Sequence, residues 1–350
     1  MGTSARQTRF ERAKRDAPVT FGPVHAQIKS SSLSAILKSP LNLPRIRPVI
    51  LSTAAAACIA IASPSYATQP PADIQAVSWI VVDGESDQIL VEQNADAERQ
   101  PASLTKLMTA YIVLDSLKRG TMRWDEKVMV DAAENGKVGG DEAKMYLVPG
   151  QLVSVRELVQ GLIAASANDA AMVLATRVGG SPSGFESLMN AKAHELGMSH
   201  THYSTPSGIT TPGNYTTARD LSILALRLTK DFPEYYTFSS EQHFAYGKFQ
   251  KRNKNWLLGK DPSVDGMKTG HTEAAGFCIV ATAKRKQASP PMSRRVFAVL
   301  LGAPTAHARI AGAGSLLNYG FSAFTDYPGS DGRHVVTREA AAGGSQTHRP

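Results

Sequence analysis

Apolar positions along this chain change period several times, and each change predicts an element. Val77-Ser-Trp-Ile-Val-Val82 and Gln88-Ile-Leu-Val-Glu92 are rich in apolar and β-branched residues. Asp83-Gly-Glu-Ser-Asp87 lies between them, so the pair reads as a hairpin. After Pro101-Ala102, the residues Leu104, Leu107, Met108, Tyr111 and Leu114 recur at helical spacing, which predicts a helix from Ser103 to about Leu117. Val153 to about Val178 reads as two helical stretches, opened by Ser154 with Glu157 three residues on. Residues 183–197 form another helix, closed by Gly197, and Thr216 to Lys230 a further one. Gly276–Ala283 and Arg295–Leu301 read as strands joined by a basic, Pro-containing loop, and Ala306–Asn318 as a last helix.

Strands thus come from both ends of the chain and helices from the middle. This order predicts an α/β fold of the α+β type: one antiparallel sheet flanked by helices, with a helical lobe inserted. Three regions are expected. Residues 1–67 are an N-terminal extension and signal peptide, 68–324 a catalytic domain, and 325–350 a polar, Gly-rich tail to which no structure is assigned. The signal reading rests on Arg45 and Arg47, the apolar run Val49–Ala62, and the small residues Ser65 and Ala67 of a cleavage site. That run is short for a membrane span, which needs about 20 residues. Export, with cleavage near Ala67, is the expectation.

The formal charge of +8 invites a nucleic-acid reading, but its distribution opposes one. Of 38 basic and 30 acidic residues, nine and two fall in residues 1–67, so the rest of the chain carries a net charge of only +1. Of the two cysteines, Cys58 lies inside the signal, and Cys278 sits in an apolar run where a buried structural thiol is expected. No internal disulfide is therefore expected in the mature chain.

Three short motifs carry the chemistry: Ser103-Leu-Thr-Lys106, Ser166-Ala-Asn168 and Lys268-Thr-Gly270. Ser103 and Lys106 are i and i+3 on a predicted helix and share a face. A serine hydroxyl becomes a nucleophile when a base takes its proton, and a desolvated lysine can be that base. Taken alone, the motif also reads as a helix cap followed by a surface lysine. Ser166 and Asn168 stand among small apolar residues, where polar side chains need partners; tight helix packing is the alternative. Lys268 offers charge, Thr269 a hydroxyl, and Gly270 a backbone that a ligand can approach closely. His271 could add a backbone N–H to an oxyanion hole. Arg309 is a candidate fork for a carboxylate, or else a surface arginine. His194, His200 and His202 read as surface residues; no metal-ligand spacing and no phosphate-binding loop appear, so neither a metal nor a cofactor is expected.

Pro101-Ala-Ser-Leu-Thr-Lys-Leu-Met-Thr109, Ser166-Ala-Asn-Asp-Ala170, Asp265-Gly-Met-Lys-Thr-Gly-His-Thr272 and Tyr215-Thr-Thr-Ala-Arg-Asp220 together resemble the D-alanyl-D-alanine carboxypeptidases. These are low-molecular-weight penicillin-binding proteins, and the motif trio is the one shared with serine β-lactamases. The resemblance spans roughly Val77 to Phe324. It implies a β-lactamase/penicillin-binding-protein-like fold, peptidoglycan stem peptides ending in D-Ala-D-Ala as substrates, and β-lactams as covalent inhibitors. It also implies roles: Ser103 is acylated, Lys106 is its base, Ser166 relays a proton and Asn168 positions. Lys268 and Thr269 bind the terminal carboxylate, with Arg309 where the family often has a carboxylate-binding arginine. Ala167 replaces the family's usual glycine. The short stretch after Phe324 has no amphipathic pattern, so no C-terminal membrane anchor is expected. A DD-endopeptidase is the first rival. A β-lactamase is the second: Glu186-Ser-Leu-Met-Asn190 superficially resembles a deacylating loop, but its apolar spacing reads as helix. A non-catalytic penicillin sensor is the third.

Overall fold

β1 (Ser78–Asp83) is buried at every position and runs inside a five-stranded sheet of order β2-β1-β9-β8-β7. The others are β2 (Ile89–Gln93), β7 (Val264–Thr272), β8 (Gly276–Gln287) and β9 (Met292–Ala303), and every neighbouring pair is antiparallel. The computed structural model describes residues 71–132, 138–139, 142–287 and 292–323. The expected extension, signal segment with Cys58, and polar tail lie outside the described residues.

Both faces of the sheet are covered, which explains why β1 is apolar almost throughout rather than alternating with polar residues. Successive side chains point to opposite faces. Ile80, Val82, Val280, Phe297, Val299 and Leu301 join the core shared with the helical lobe. Trp79, Val81, Ile279, Ala281, Ala298 and Leu300 join a second core, with Leu316, Leu317 and Phe321. Those three belong to the C-terminal helix, α7 (Ala306–Ser322), which Thr305 caps by accepting from Ala308 N–H.

The basic stretch expected as a loop between the last two strands is largely strand. Lys284 pairs with Arg295 and Arg285 with Arg294. Like charges across a ladder are unfavourable, but two of them are neutralised locally. Arg285 reaches Asp261 at 2.7 Å and Arg295 grips Asp265 through two 2.7 Å bonds. The backbone ladder therefore continues past the point where composition suggested a stop. β7 is a second departure. Lys268-Thr-Gly270, to which the sequence pattern assigns no strand, lies ahead of β8 and also forms the middle of a strand of its own, with Lys268 opposite Val280 and Gly270 opposite Cys278. Its glycines and charges hide the alternation that would reveal a strand.

Between β2 and β7 lies the helical lobe. A 3-10 turn (Ala102–Thr105) leads into α1 (Lys106–Lys118). The two stretches expected over Val153–Val178 are α2 (Val155–Gln160), continued by a π-turn (Gly161–Ala165), and α3 (Asn168–Gly179). Ser154 and Glu157 form the expected capping box. The break falls at Ser166, whose backbone is left-handed with φ 60°. α4 (Pro182–Glu195) contains Glu186–Asn190 as helix, and Gly197 follows it at φ +79°. α5 (Ala218–Asp231) and the short α6 (Tyr235–Ser239) complete the helices. Two small hairpins were not foreseen: β3 (Lys127–Met129) with β4 (Leu152–Ser154), and β5 (His243–Tyr246) with β6 (Phe249–Arg252). Each strand is too short to show a period. Among the described residues, no helix is long and apolar enough to cross a membrane.

One buried carboxylate ties the lobe together. Asp220 is 2% exposed, and its Oδ2 accepts from His200 N–H at 2.9 Å and from Thr201 Oγ1 at 2.7 Å. Asp220 N–H in turn donates to the cap residue Thr217. Asp220→Ala leaves the part-buried His200 N–H without its acceptor, while Thr201 Oγ1 keeps Thr216 Oγ1 at 2.8 Å. It should cost about 1–3 kcal/mol, the penalty of one unmet group. Urea unfolding followed by circular dichroism checks this; a loss below about 0.5 kcal/mol would show that the loop re-pairs elsewhere.

Candidate active site

The turn that carries Ser103 begins with strain. Ala102 has φ 48°, a left-handed value for a non-glycine residue. It leads into the 3-10 turn, where Ser103 stands at the N-terminal end, ahead of α1. N–H groups at such an end lack partners within the helix, and the dipole there favours negative charge. Lys106 lies one turn on. Its Nζ donates to Ser103 Oγ at 3.0 Å and to the Ser207 carbonyl at 2.5 Å.

Lys106 is only 1% exposed. Burial disfavours its charged form and lowers its pKa from 10.5 to about 7, against a smaller opposing pull from Glu142. Asp169 also favours the charge, while Lys251 and Lys254 oppose it. A large part of Lys106 is therefore neutral near pH 7, with its amine in contact with a serine hydroxyl.

The motif residues converge on one cleft of about 250 Å³. Ser103, Ser166, Asn168, Thr269, Gly270, His271 and Arg309 all line it. Ser166 is presented by its left-handed backbone, and among the described residues its hydroxyl has no hydrogen-bond partner. Asn168, the first residue of α3, donates through Nδ2 to Glu142 Oε2, while its buried Oδ1 has no partner among the described residues. Lys268 is not a lining residue. It is 3% exposed behind the wall, donates to the Thr269 carbonyl at 2.9 Å, and is held well below its usual pKa by burial and by Lys106, Lys254, Lys251 and Arg309. Five basic side chains that suppress one another's protonation around one cleft make a field that an anion would relieve.

Arg309 is no surface arginine. It is 3% exposed, its pKa is lowered to about 10 by burial, and it donates to the Gly270 and Lys254 carbonyls at 3.4 Å, with Nε unpaired among the described residues. His271 is exposed, and its ring stacks on Phe277 at 3.9 Å. Cys278 is buried and free, with its thiol pushed up to about 11 by burial. His194, His200 and His202 are exposed, and among the described residues no acidic, His or Cys group could hold a metal ion.

Two glycines allow this convergence. A Cβ on Gly270 would lie 3.1 Å from Ser103 N and 3.1 Å from Pro101 O, so glycine lets β7 approach the turn that carries Ser103 without crowding it. A Cβ on Gly208, at φ +81°, would lie 1.9 Å from Ala102 O. Gly208, Ser207, Lys254 and Glu142 were missed in the sequence. None sits at a motif spacing, and the fold delivers each from a distant segment. The open side of β7 is partly closed: Tyr235, Ser239 and Asn255 donate to the carbonyls of Met267, Asp265 and Gly266. The end from Thr269 to Thr272 borders the cleft instead.

A five-stranded antiparallel sheet covered on both faces, with a serine–lysine cleft between its edge strand and a helical lobe, defines the penicillin-binding-protein and serine β-lactamase class of fold. Within it, the chain belongs to the peptidase S11 family, described as D-alanyl-D-alanine carboxypeptidase, which matches residues 64–305. The chain is 39% identical over 256 residues to the D-alanyl-D-alanine carboxypeptidase DacC of Escherichia coli, covering 72% of this chain and 62% of that protein. It is 36% identical to DacA of Haemophilus influenzae, covering 73% and 64% respectively. It thus spans less than two thirds of the length of these two relatives. Penicillin-binding protein D2 of Listeria monocytogenes, solved in an ampicillin-bound form, is 34% identical with a TM-score of 0.64, over 72% of this chain and all of that one.

Gly208→Ala should push the Ser207–Gly208 segment off the turn that carries Ser103, because the two nearest of the three colliding atoms, Ala102 O and Ala102 C, belong to the backbone. We expect the rate of covalent penicillin labelling to fall by at least about a hundredfold, with a lower melting temperature as well. Labelling at the wild-type rate would show that the turn yields without disturbing Ser103.

Proposed function

We propose that this chain is a serine-type D-Ala-D-Ala carboxypeptidase, which removes the terminal D-Ala from peptidoglycan stem pentapeptides and is acylated by penicillins. The observation that carries this reading is the 3.0 Å bond from a buried lysine amine, with pKa near 7, to Ser103 Oγ. Family membership and the ampicillin-bound relative support it.

In the proposed cycle, neutral Lys106 takes the Ser103 proton as Oγ attacks the carbonyl carbon of the penultimate D-Ala. The oxyanion is held by the N–H groups of Ser103 and His271, which the close approach of Gly270 to Ser103 N supports. The peptide C–N bond breaks, and the leaving nitrogen receives the proton from Lys106 through Ser166. Terminal D-Ala departs, water attacks the ester, and Ser103 recovers its proton. The terminal carboxylate falls to Thr269 and Arg309 on the cleft wall, with Lys268 acting from behind it through its charge. The extended peptide lies along the open end of β7. We further propose that the protein works after export, with its signal removed near Ala67.

Ser103→Ala should abolish both D-Ala release and penicillin labelling, read by mass spectrometry. A labelled Ser103→Ala protein would sink the assignment. The pH dependence follows from Lys106. Its pKa is lowered by burial, so the base form is lost as pH falls below about 7 and is complete above it. The acylation rate should therefore rise with pH through about 7 and then level off. A rise that continues to pH 10 would point to an unperturbed lysine.

Arg309 separates carboxypeptidase from endopeptidase. A carboxypeptidase must recognise the carboxylate it will release, and a guanidinium contact to one is worth roughly 1.5–3 kcal/mol. Arg309→Ala should lower kcat/KM on D-Ala-D-Ala peptides by roughly ten- to a hundredfold, with little further loss on C-terminally amidated peptides. Equal losses on both would assign Arg309 to the fold.

A further inference from the structure

Glu142 belongs to none of the three motifs, yet its side chain stands inside the cleft they form. It arrives from the segment before Met145, far in sequence from Ser103 and Asn168. Both carboxylate oxygens are engaged. Oε1 accepts from Gly139 N–H at 2.9 Å, and Oε2 accepts from the Asn168 side-chain amide. The same segment is pinned to α3 twice more: Asn168 N–H donates to the Ala143 carbonyl at 2.7 Å, and Asp169 accepts from Met145 and Leu147 N–H. Glu142 is therefore held in place by the backbone around it.

A carboxylate only accepts hydrogen bonds, whereas a side-chain amide has a donating and an accepting end. Pairing with Glu142 therefore decides which end of Asn168 faces which way. Nδ2 must lie toward Glu142, and Oδ1 is left on the inner side, buried and without a partner. Nδ2 carries two N–H groups. One is used on Glu142, and the second remains for a carbonyl of an incoming acyl group. Without the carboxylate, nothing among the described contacts distinguishes this orientation from the flipped one.

We propose that Glu142 is a positioning residue for acylation: it fixes the orientation of the Asn168 amide and supplies negative charge beside Lys106. The second part has a physical consequence. The charged groups around Lys106 are Glu142 and Asp169 on one side, and Lys251, Lys254 and Lys268 on the other. Glu142 exerts the strongest pull toward keeping the Lys106 proton. It offsets part of the cationic field and so keeps the base from becoming too weak to accept the serine proton. This inference rests on the reading of Ser103 as the acylated residue.

The test uses the full chain and a fluorescent penicillin, with the acylation rate followed from pH 5 to 10 in wild type, Glu142→Ala and Glu142→Gln. In Glu142→Ala the high-pH plateau should fall about tenfold or more, because Asn168 loses its orientation. Glutamine can still accept from Nδ2 but has no charge. Glu142→Gln should therefore recover most of the plateau. In both variants the midpoint should move below that of wild type, by about 0.5–1.5 pH units. A purely structural role would lower the plateau without moving the midpoint. An unchanged plateau in Glu142→Ala, or an unchanged midpoint in both variants, would overturn the proposal. A second readout needs no acylation. The side-chain amide resonance of Asn168 should shift and exchange faster with solvent in Glu142→Ala, and an unaltered resonance would also overturn the proposal. If wild type itself is not acylated while that resonance responds as expected, the failure belongs to the carboxypeptidase reading and not to the Glu142–Asn168 pair.

Discussion

The burial of one amine organises this protein. Lys106 gives up nearly all contact with water and receives only two hydrogen bonds in exchange, to Ser103 Oγ and the Ser207 carbonyl. Desolvation of a charged ammonium is costly, so the group responds by releasing its proton more readily. The fold sustains that arrangement from several directions. α1 provides the turn, the Ser207–Gly208 segment closes over it, and β7 seals the other side. Each approach depends on a backbone that comes unusually close, at Gly208 and at Gly270. The left-handed φ of Ala102 and of Ser166 belongs to the same arrangement, since Ala102 precedes Ser103 and Ser166 lines the same cleft.

The sheet makes such closeness possible because it is rigid and covered on both faces. Two cores grip it, one shared with the helical lobe and one beneath α7. Its edge strand then carries a site with little freedom to drift. Basic groups dominate the neighbourhood: buried Lys106, Lys268 and Arg309, half-buried Lys251 and exposed Lys254 act on one another, with Glu142 and Asp169 as the opposing charges. A site of this kind is poised for an anionic ligand, and it penalises protonation of its own base.

Much of this was legible in the sequence, for reasons that differ between residues. Ser103 with Lys106, and Ser166 with Asn168, are local pairs. Their chemistry requires particular side chains a fixed few positions apart, so the motifs survive as text. The capping box at Ser154 and Glu157 is local too. Arg309 could be named but not placed, because its burial depends on Phe277 and the Lys254 loop. Glu142, Ser207, Gly208 and Lys254 had no local signature, and only the packing of distant segments brings them to the cleft. β7 was hidden because a strand buried by its neighbours needs no alternation of its own. The basic turn of the β8–β9 hairpin was misjudged because Asp261 and Asp265, far along the chain, neutralise its arginines.

One measurement bears most directly on this account. With the lysine side chains labelled with carbon-13 at Cε, the Lys106 resonance can be assigned by its loss in Lys106→Arg and followed against pH in the unliganded protein. Burial against Ser103 predicts a titration midpoint near 7, where a general base works best at neutral pH. A midpoint near the ordinary lysine value of about 10.4 would contradict the account, because Lys106 would then be charged whenever Ser103 needs a base.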